Sequence, residues 1–400
     1  MDYEIRYATE NEWAAVAELD GASFGFHYSD QELADAALDI DPRRIVVAAV
    51  DGAIIGISAE LPFAMLLPGG ADVPVVGLTW VSVELTHRRH GVLRALVEQQ
   101  LREQAAAGAA AVILSASEGG IYGRYGFGVA TEVRHTVVRR GRARMTSPVD
   151  TSAVRRLTTG DARDVLPGLY ERWRRQTPGG LTRDERRWTF TLLDREYQRQ
   201  GKSGLFHLVH PDGYVSYRIK SEWGEGDPQH QCWLVDYAPA TAEAHAGLWQ
   251  TLLSMDLVST IESYRVPLDD PIQLLLADPR GVLTTHLGDA LWVRPLNVMA
   301  LLGSRRYAVD LDCVLDVRDA LFGDGRYLLR GGPDGATCAR TDRGPDLSVD
   351  IADLGAACLG GRRVAQLARA GRIDAADPAL LARVDAAFAA DRHPAHGTPF

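Results

Sequence analysis

Four hundred residues, 46% of them hydrophobic, suffice for two or three domains that each bury a core, which excludes a disordered chain. A formal net charge of −10 excludes a general nucleic-acid binder, whose affinity comes from a basic face neutralising phosphates. It favours cationic partners such as polyamines, aminoglycosides or lysine side chains, although the same charge also reads as ordinary solubility.

In chain order, Thr9-Glu10-Asn11-Glu12 and Ser29-Asp30-Gln31-Glu32 each fit a capping box and predict two helices, the first carrying Trp13, Val16 and Ala17. Ile45 to Val50, Asp51-Gly52 and Ala53 to Ile57 predict a β-hairpin around a tight turn. A further strand leads through Trp80 into Val81-Ser82-Val83-Glu84-Leu85-Thr86-His87-Arg88-Arg89-His90-Gly91-Val92-Leu93-Arg94. Val92, Leu93, Leu96, Val97 and Leu101 form one apolar helical face and Gly108 a stop, so the basic turn falls at a helix N-terminus. Unpaired N–H groups and the helix dipole stabilise an anion there, two arginines add charge, and Gly91 lets the backbone come close. A surface turn with solvated arginines remains the alternative. The strand Ala111 to Ala116 is followed by Ser117-Glu118-Gly119-Gly120-Ile121-Tyr122-Gly123-Arg124-Tyr125-Gly126-Phe127-Gly128.

Part of this order recurs further on. Arg155-Arg156-Leu157-Thr158 with Asp161 parallels Arg6-Tyr7-Ala8-Thr9 with Glu12, and the strands flanking Asp212-Gly213 parallel those flanking Asp51-Gly52. Leu234 to Tyr237 and the helix near Trp249 parallel the Val81 strand and its helix, but Ala242-Glu243 stands where the first copy has Arg88-Arg89. A pyrophosphate would meet a carboxylate there. Chance similarity between short segments is the competing reading. Beyond, Tyr307 to Val317 alternates apolar residues with Asp310, Asp312 and Asp316, a strand with one buried face. Further strands are expected at Tyr327 to Arg330, Ala336 to Arg340 and Leu347 to Ile351, and a helix from Asp377-Pro378 to about Ala390.

Cys232, Cys313, Cys338 and Cys358 have no C-x-x-C spacing and read as buried thiols, and the eleven histidines show no H-x-x-x-H pattern, so no metal is expected. No apolar run approaches the roughly 20 residues that span a bilayer. Met1-Asp2-Tyr3-Glu4 is acidic where a signal peptide is basic, which gives the expectation of a cytoplasmic, non-membrane protein.

The turn at Arg88 to Leu93 and the segment Ser117 to Phe127 together resemble the GNAT acetyltransferases. Leu93 departs from the small residue that the family's pyrophosphate turn carries. Thr86-His87-Arg88-Arg89, Ser117 to Arg124, Glu171-Arg172-Trp173-Arg174, Pro178-Gly179-Gly180-Leu181, His210-Pro211-Asp212-Gly213-Tyr214 and Phe400 resemble, more narrowly, the Eis (enhanced intracellular survival) acetyltransferases over essentially the whole chain. The resemblance implies an α+β, α/β multidomain protein: a catalytic GNAT domain over 1–145, a degenerate GNAT-like domain without CoA over 146–288, and a sterol-carrier-protein-2-like domain with a functional tail over 289–400. It implies a cytosolic homo-oligomer, a hexamer, using acetyl-CoA.

Acetyl transfer from a thioester to an amine requires the amine to lose a proton, the oxyanion to be stabilised and the leaving thiolate to be protonated. The resemblance assigns Val81, Ser82, Val83, Arg88, Arg89, His90, Gly91, Val92, Leu93, Arg94, Ser117 and Glu118 to acetyl-CoA, Tyr122 as general acid and the Phe400 carboxylate as general base, and Trp80 and Trp173 to the acceptor pocket. By residue type alone Tyr122 reads first as a packing tyrosine among glycines, and Glu84, Glu118, His87 and His90 are local candidate bases. Gly25-Phe26-His27-Tyr28 and Pro399 offer no acid where aminoglycoside-acetylating relatives have one. The expected activity is N-acetylation of aminoglycoside-like or polyamine amines. The alternatives are lysine acetylation of peptides or proteins, and a non-catalytic CoA- or lipid-binding protein.

Overall fold

The computed structural model describes residues 2–375 and 377–400. Both capping boxes form: the Ser29 hydroxyl accepts from the Glu32 amide while the Glu32 carboxylate takes the Ser29 amide at 2.8 Å. They start helices α1 (Trp13–Phe24, after one 3-10 turn) and α2 (Asp30–Asp39). The hairpin closes through Asp51 and Gly52, at φ 48° and 82°, the left-handed pair that the twist of two antiparallel strands demands.

The first sheet runs β1 (Glu4–Tyr7), β2 (Ile45–Val50), β3 (Ala53–Leu66), β4 (Asp72–Val83), β5 (Ala111–Leu114), then the strand Trp292–Pro295 and β6 (Gly128–Val129). Helix α3 (Val92–Ala106) connects β4 to the parallel β5 and covers one face, while α1 covers the other. The second sheet runs Val282–Asp289, β7 (Glu132–Arg139), Val258–Val266, His230–Pro239, Gly213–Lys220, Phe206–His210, Arg155–Leu157. The halves therefore exchange strands, and the sheets cross the boundaries expected at 145/146 and 288/289. The physical reason is burial: Ala111–Leu114 is buried throughout and needs a partner along both edges. Trp292–Pro295 supplies the outer one.

The third sheet, ordered Gly335–Arg340, Gly325–Gly332, Leu311–Arg318, Leu347–Asp350, Ile373–Ala375, packs with helices Ile351–Ala357, Val364–Arg369 and Pro378–Phe388 around its own core. Its first strand starts at Leu311, not at the expected Tyr307, because Tyr307 turns inward against Phe388 and donates its hydroxyl to the Leu302 carbonyl at 2.9 Å. This domain is fused to the first sheet. The buried Arg294 pairs with Asp319 at 2.7 Å, and Gly355 lies so close to the Val293 carbonyl that a Cβ would stand 2.2 Å from its oxygen.

From the third domain the tail returns between the other two. The Ala395 amide donates to the Pro178 carbonyl, the Leu181 amide to that of His396, and Arg183 to that of Gly397 at 2.8 Å. The buried Thr398 shares a 2.8 Å hydrogen bond with Tyr170. All four cysteines are free thiols, three buried and Cys338 half-buried. Among the described residues no helix is long and apolar enough to cross a membrane, and no cluster of three metal-ligating side chains forms.

Candidate functional site

Strands β4 and β5 pair in parallel from Val75/Ala111 to Leu78/Leu114 and then part. Trp80 takes a positive φ of 52° at a register shift against β3, a bulge that turns Val81, Ser82 and Val83 along the gap. Beyond them Arg89 and Gly91 are left-handed, at φ 66° and 87°, and Gly91 caps α3 without a side-chain hydrogen bond. The amides of Val92, Leu93 and Arg94, which have no acceptor within the helix, thus point outward beside exposed Arg88, Arg89, His90 and Arg94. The second copy differs in kind. Thr241 caps Ala242–Leu253 by accepting from the Ala244 amide, and Glu243 occupies the first turn, so that helix satisfies its own terminus and repels an anion.

Tyr122 opens the 3-10 turn Tyr122–Tyr125 beyond β5 and packs with Leu78, Leu114 and Phe127, and with the half-buried Val81 and Leu93, on the α3 face of the sheet. Burial, then Tyr125 and Glu118, push its phenol up to about 12, so it stays protonated at neutral pH. Ser117 and Glu118 lie exposed in the loop just before it.

Phe400 lies on the opposite face. Side chains alternate along a strand, and Gly77, one residue before Leu78, opens a slot there: a Cβ would stand 2.7 Å from Phe400 Cε2 and 2.9 Å from Phe63 Cε2. The phenylalanine rings meet at 5.1 Å. On this face Trp80 stacks on Trp13 at 5.4 Å and tilts against Tyr28 at 5.6 Å. With Phe26, Tyr28, Phe190 and Tyr197 it walls a cavity of about 260 Å³ that also holds Glu32 and Asp39. Aromatic faces and carboxylates are the surroundings that suit an ammonium. Burial raises Asp39 to about 6 against the opposing pull of Arg187, which pairs with it at 2.8 Å and donates to the Pro399 carbonyl at 3.2 Å.

Of the expected donor residues Val81 and Leu93 thus pack with Tyr122 on the α3 face, Ser82 turns its hydroxyl to Asp20 of α1 on the other, and Trp80 and Phe400 lie on that other face too. Trp173 stands apart. It packs beneath Gly397 and lines a second, larger cavity in the middle domain. Sequence reasoning missed Glu32, Asp39, Arg187 and Phe190. The acids absent from Gly25 to Tyr28 and from Pro399 come instead from α2, where they read as an ordinary solvated face. Nothing in the spacing of Arg183 and Arg187 signals their contact with the tail. Asp20, also missed, is buried, accepts from Tyr28 at 2.8 Å and is raised by burial.

GNAT acetyltransferase domain models match residues 4–130 and 179–295, and a sterol carrier protein domain model matches residues 298–396. The N-acetyltransferase Eis of Mycobacterium tuberculosis is 35% identical over 96% of both chains, and an uncharacterized N-acetyltransferase of Streptomyces avermitilis is 36% identical over 97% of both. The crystal structure of Eis1 from Mycobacterium abscessus superposes over the whole of both chains with a TM-score of 0.89 at 30% identity. A GCN5-related N-acetyltransferase from Anabaena variabilis, at 18% identity and a TM-score of 0.86, shares the fold. The chain is an N-acetyltransferase and belongs to the Eis family, with two GNAT domains preceding a sterol-carrier-protein-like domain.

Proposed function

We propose that the enzyme transfers the acetyl group of acetyl-CoA to a primary amine of a small acceptor, aminoglycoside-like or polyamine. Acetyl-CoA supplies the activated acetyl group and its leaving thiol. The observation that carries this reading is the division of the site by its sheet: an anion cradle and a protonated phenol on one face, an aromatic and acidic pocket with a chain-terminal residue on the other. The amides of Val92 to Arg94, with Arg88 and Arg89, hold the pyrophosphate. Val81 to Val83 orient the pantetheine along the splayed strand, flanked by Ser117 and Glu118. Trp80, Glu32 and Asp39 hold the acceptor, the Phe400 carboxylate takes a proton from its ammonium, and the Tyr122 hydroxyl gives one to the departing sulfur. Thiol release from acetyl-CoA, measured against aminoglycosides, polyamines and lysine peptides, tests the reading. Silence towards every amine discards it. The family's homohexamer is part of the same proposal, and sedimentation of untagged protein checks it.

Only one half of the chain keeps an open cradle, so calorimetry should find one acetyl-CoA site per chain. Replacing Arg88 and Arg89 together by Ala should weaken that site by roughly 2–4 kcal/mol, the worth of two charge-assisted phosphate contacts. Unchanged affinity in the folded double variant would place the cofactor elsewhere.

Asp39 supplies the pH dependence. Its folded-state value lies above the usual carboxylate range, at about 6, so the charged form that attracts an ammonium is present above pH 6 and lost as pH falls through it. KM for the amine should rise severalfold between pH 7 and 5, and Asp39→Asn should flatten that rise. A variant that keeps the wild-type profile would assign the titration to another group.

A further inference from the structure

Helix α2 places both acids of the pocket at Trp80 on one face. Glu32, Ala36 and Asp39 all line the cavity, and their spacing of four and then three residues sets them in one row, with Glu32 and Asp39 roughly 10 Å apart along the helix axis. Glu32 takes the Ser29 amide and hydroxyl at 2.8 and 2.7 Å on one oxygen, hydrogen bonds that hold its carboxyl below the usual range and so charged at neutral pH. Asp39 is paired with Arg187, which also reaches the Pro399 carbonyl, so the Asp39 end of the row is the end next to the tail. Among the described residues no lysine, arginine or histidine lines this cavity.

The rest of the wall is aromatic, and its two tyrosines spend their hydroxyls elsewhere. Tyr28 donates to Asp20 at 2.8 Å and Tyr197 to Asp35 at 3.1 Å, and both of these carboxylates are buried outside the cavity lining. No serine, threonine, asparagine or glutamine lines the cavity either. Aromatic faces suit methylenes and ammonium groups. An amino sugar adds hydroxyls around each ring, and a hydroxyl taken out of water without a partner is costly. Space points the same way. The cavity holds about 260 Å³, below the roughly 300–1,000 Å³ of drug-sized ligand sites. The larger cavity of about 630 Å³, which shares Phe190 as a wall, is lined by more cations than acids, Arg183, Arg199, Lys202 and Arg218 among them, and so repels further ammonium groups.

We propose that the acceptor is a linear polyamine in preference to an aminoglycoside, with its methylenes along the aromatic wall, the amine that is acetylated at the Asp39 end and a second ammonium held by Glu32. This rests on the acetyl-transfer reading above and narrows its two acceptor classes to one. Ammonium groups joined by several methylenes match two carboxylates set apart on one helix face, whereas a monoamine leaves Glu32 unanswered. Asp20 and Asp35 are positioning residues in this arrangement: without touching the acceptor, they hold the tyrosine hydroxyls away and leave the ring faces to it.

The test compares spermidine, n-butylamine and kanamycin on the full-length protein and on Glu32→Gln, with melting temperature as the check on folding. Glutamine at this position still closes the capping box with Ser29, so α2 keeps its start while the pocket loses one charge. Thiol release from acetyl-CoA should give the wild type a kcat/KM for spermidine about tenfold or more above that for either other amine, the worth of one charge-assisted hydrogen bond. Glu32→Gln should erase the advantage over butylamine by weakening spermidine alone. Equal kcat/KM for spermidine and butylamine, kanamycin used as well as spermidine, or a Glu32→Gln loss shared by butylamine would overturn the proposal. Calorimetry on the same samples keeps the two ideas apart. Tighter binding of spermidine, lost in Glu32→Gln, without thiol release from any amine supports the polyamine site and discards acetyl transfer, whereas release led by kanamycin keeps acetyl transfer and discards the polyamine site alone.

Discussion

Extending the chain beyond Phe400 should lower kcat at least about 100-fold, the contribution expected of a general base, while leaving the melting temperature and acetyl-CoA affinity unchanged. The extension keeps the ring, which can still fill the slot over Gly77, but turns its α-carboxylate into a neutral amide. Deleting Phe400 should be as damaging for a different reason. The new carboxylate sits on Pro399, about 3.8 Å back along the chain, where Arg187 already donates to the carbonyl and would hold the charge in an ion pair. Steady-state kinetics of tagged, untagged and shortened proteins decide this. Full activity in the extended form would return the role of base to Glu84 or Glu118.

Tyr122→Phe should keep fold and acetyl-CoA affinity and lose on the order of 100-fold in kcat, because only the proton-donating hydroxyl is removed. The ring shares a buried cluster with Leu78, Leu114, Phe127 and Trp292 and meets Phe127 edge-on at 5.9 Å, contacts that the substitution leaves intact. Turnover at the wild-type level, with chemistry shown to be rate-limiting, would leave Tyr122 a packing residue.

The donor side of the site was legible because its requirements are local. A basic turn, a glycine at positive φ and an amphipathic helix must be contiguous to make an anion cradle, and Arg88 to Leu101 show all three in one reading. Both capping boxes and the Asp51-Gly52 turn were readable for the same reason. The pocket at Trp80 was not, because it is assembled from the loop before α2, α2 itself, Trp80 of β4 and the side chains of Phe190 and Tyr197, which no periodicity links. Asp39 and Arg187 are ordinary helical charges until the tertiary structure buries them together. The strand exchange was equally invisible: nothing in the residues of Trp292 to Pro295 or Glu132 to Arg139 states which sheet each joins.

That exchange governs how the molecule acquires its structure. The first sheet cannot close when its own residues have been made, since the outer partner of Ala111–Leu114 arrives only with Trp292–Pro295, and Glu132–Arg139 must wait for Val258–Val266 and Val282–Asp289. Pairings so distant in sequence pay their loop-closure entropy before any contact rewards it, which slows folding and leaves strand edges open meanwhile. During synthesis the first half therefore waits with an unfilled sheet edge, and separating the two halves would leave both sheets without a strand.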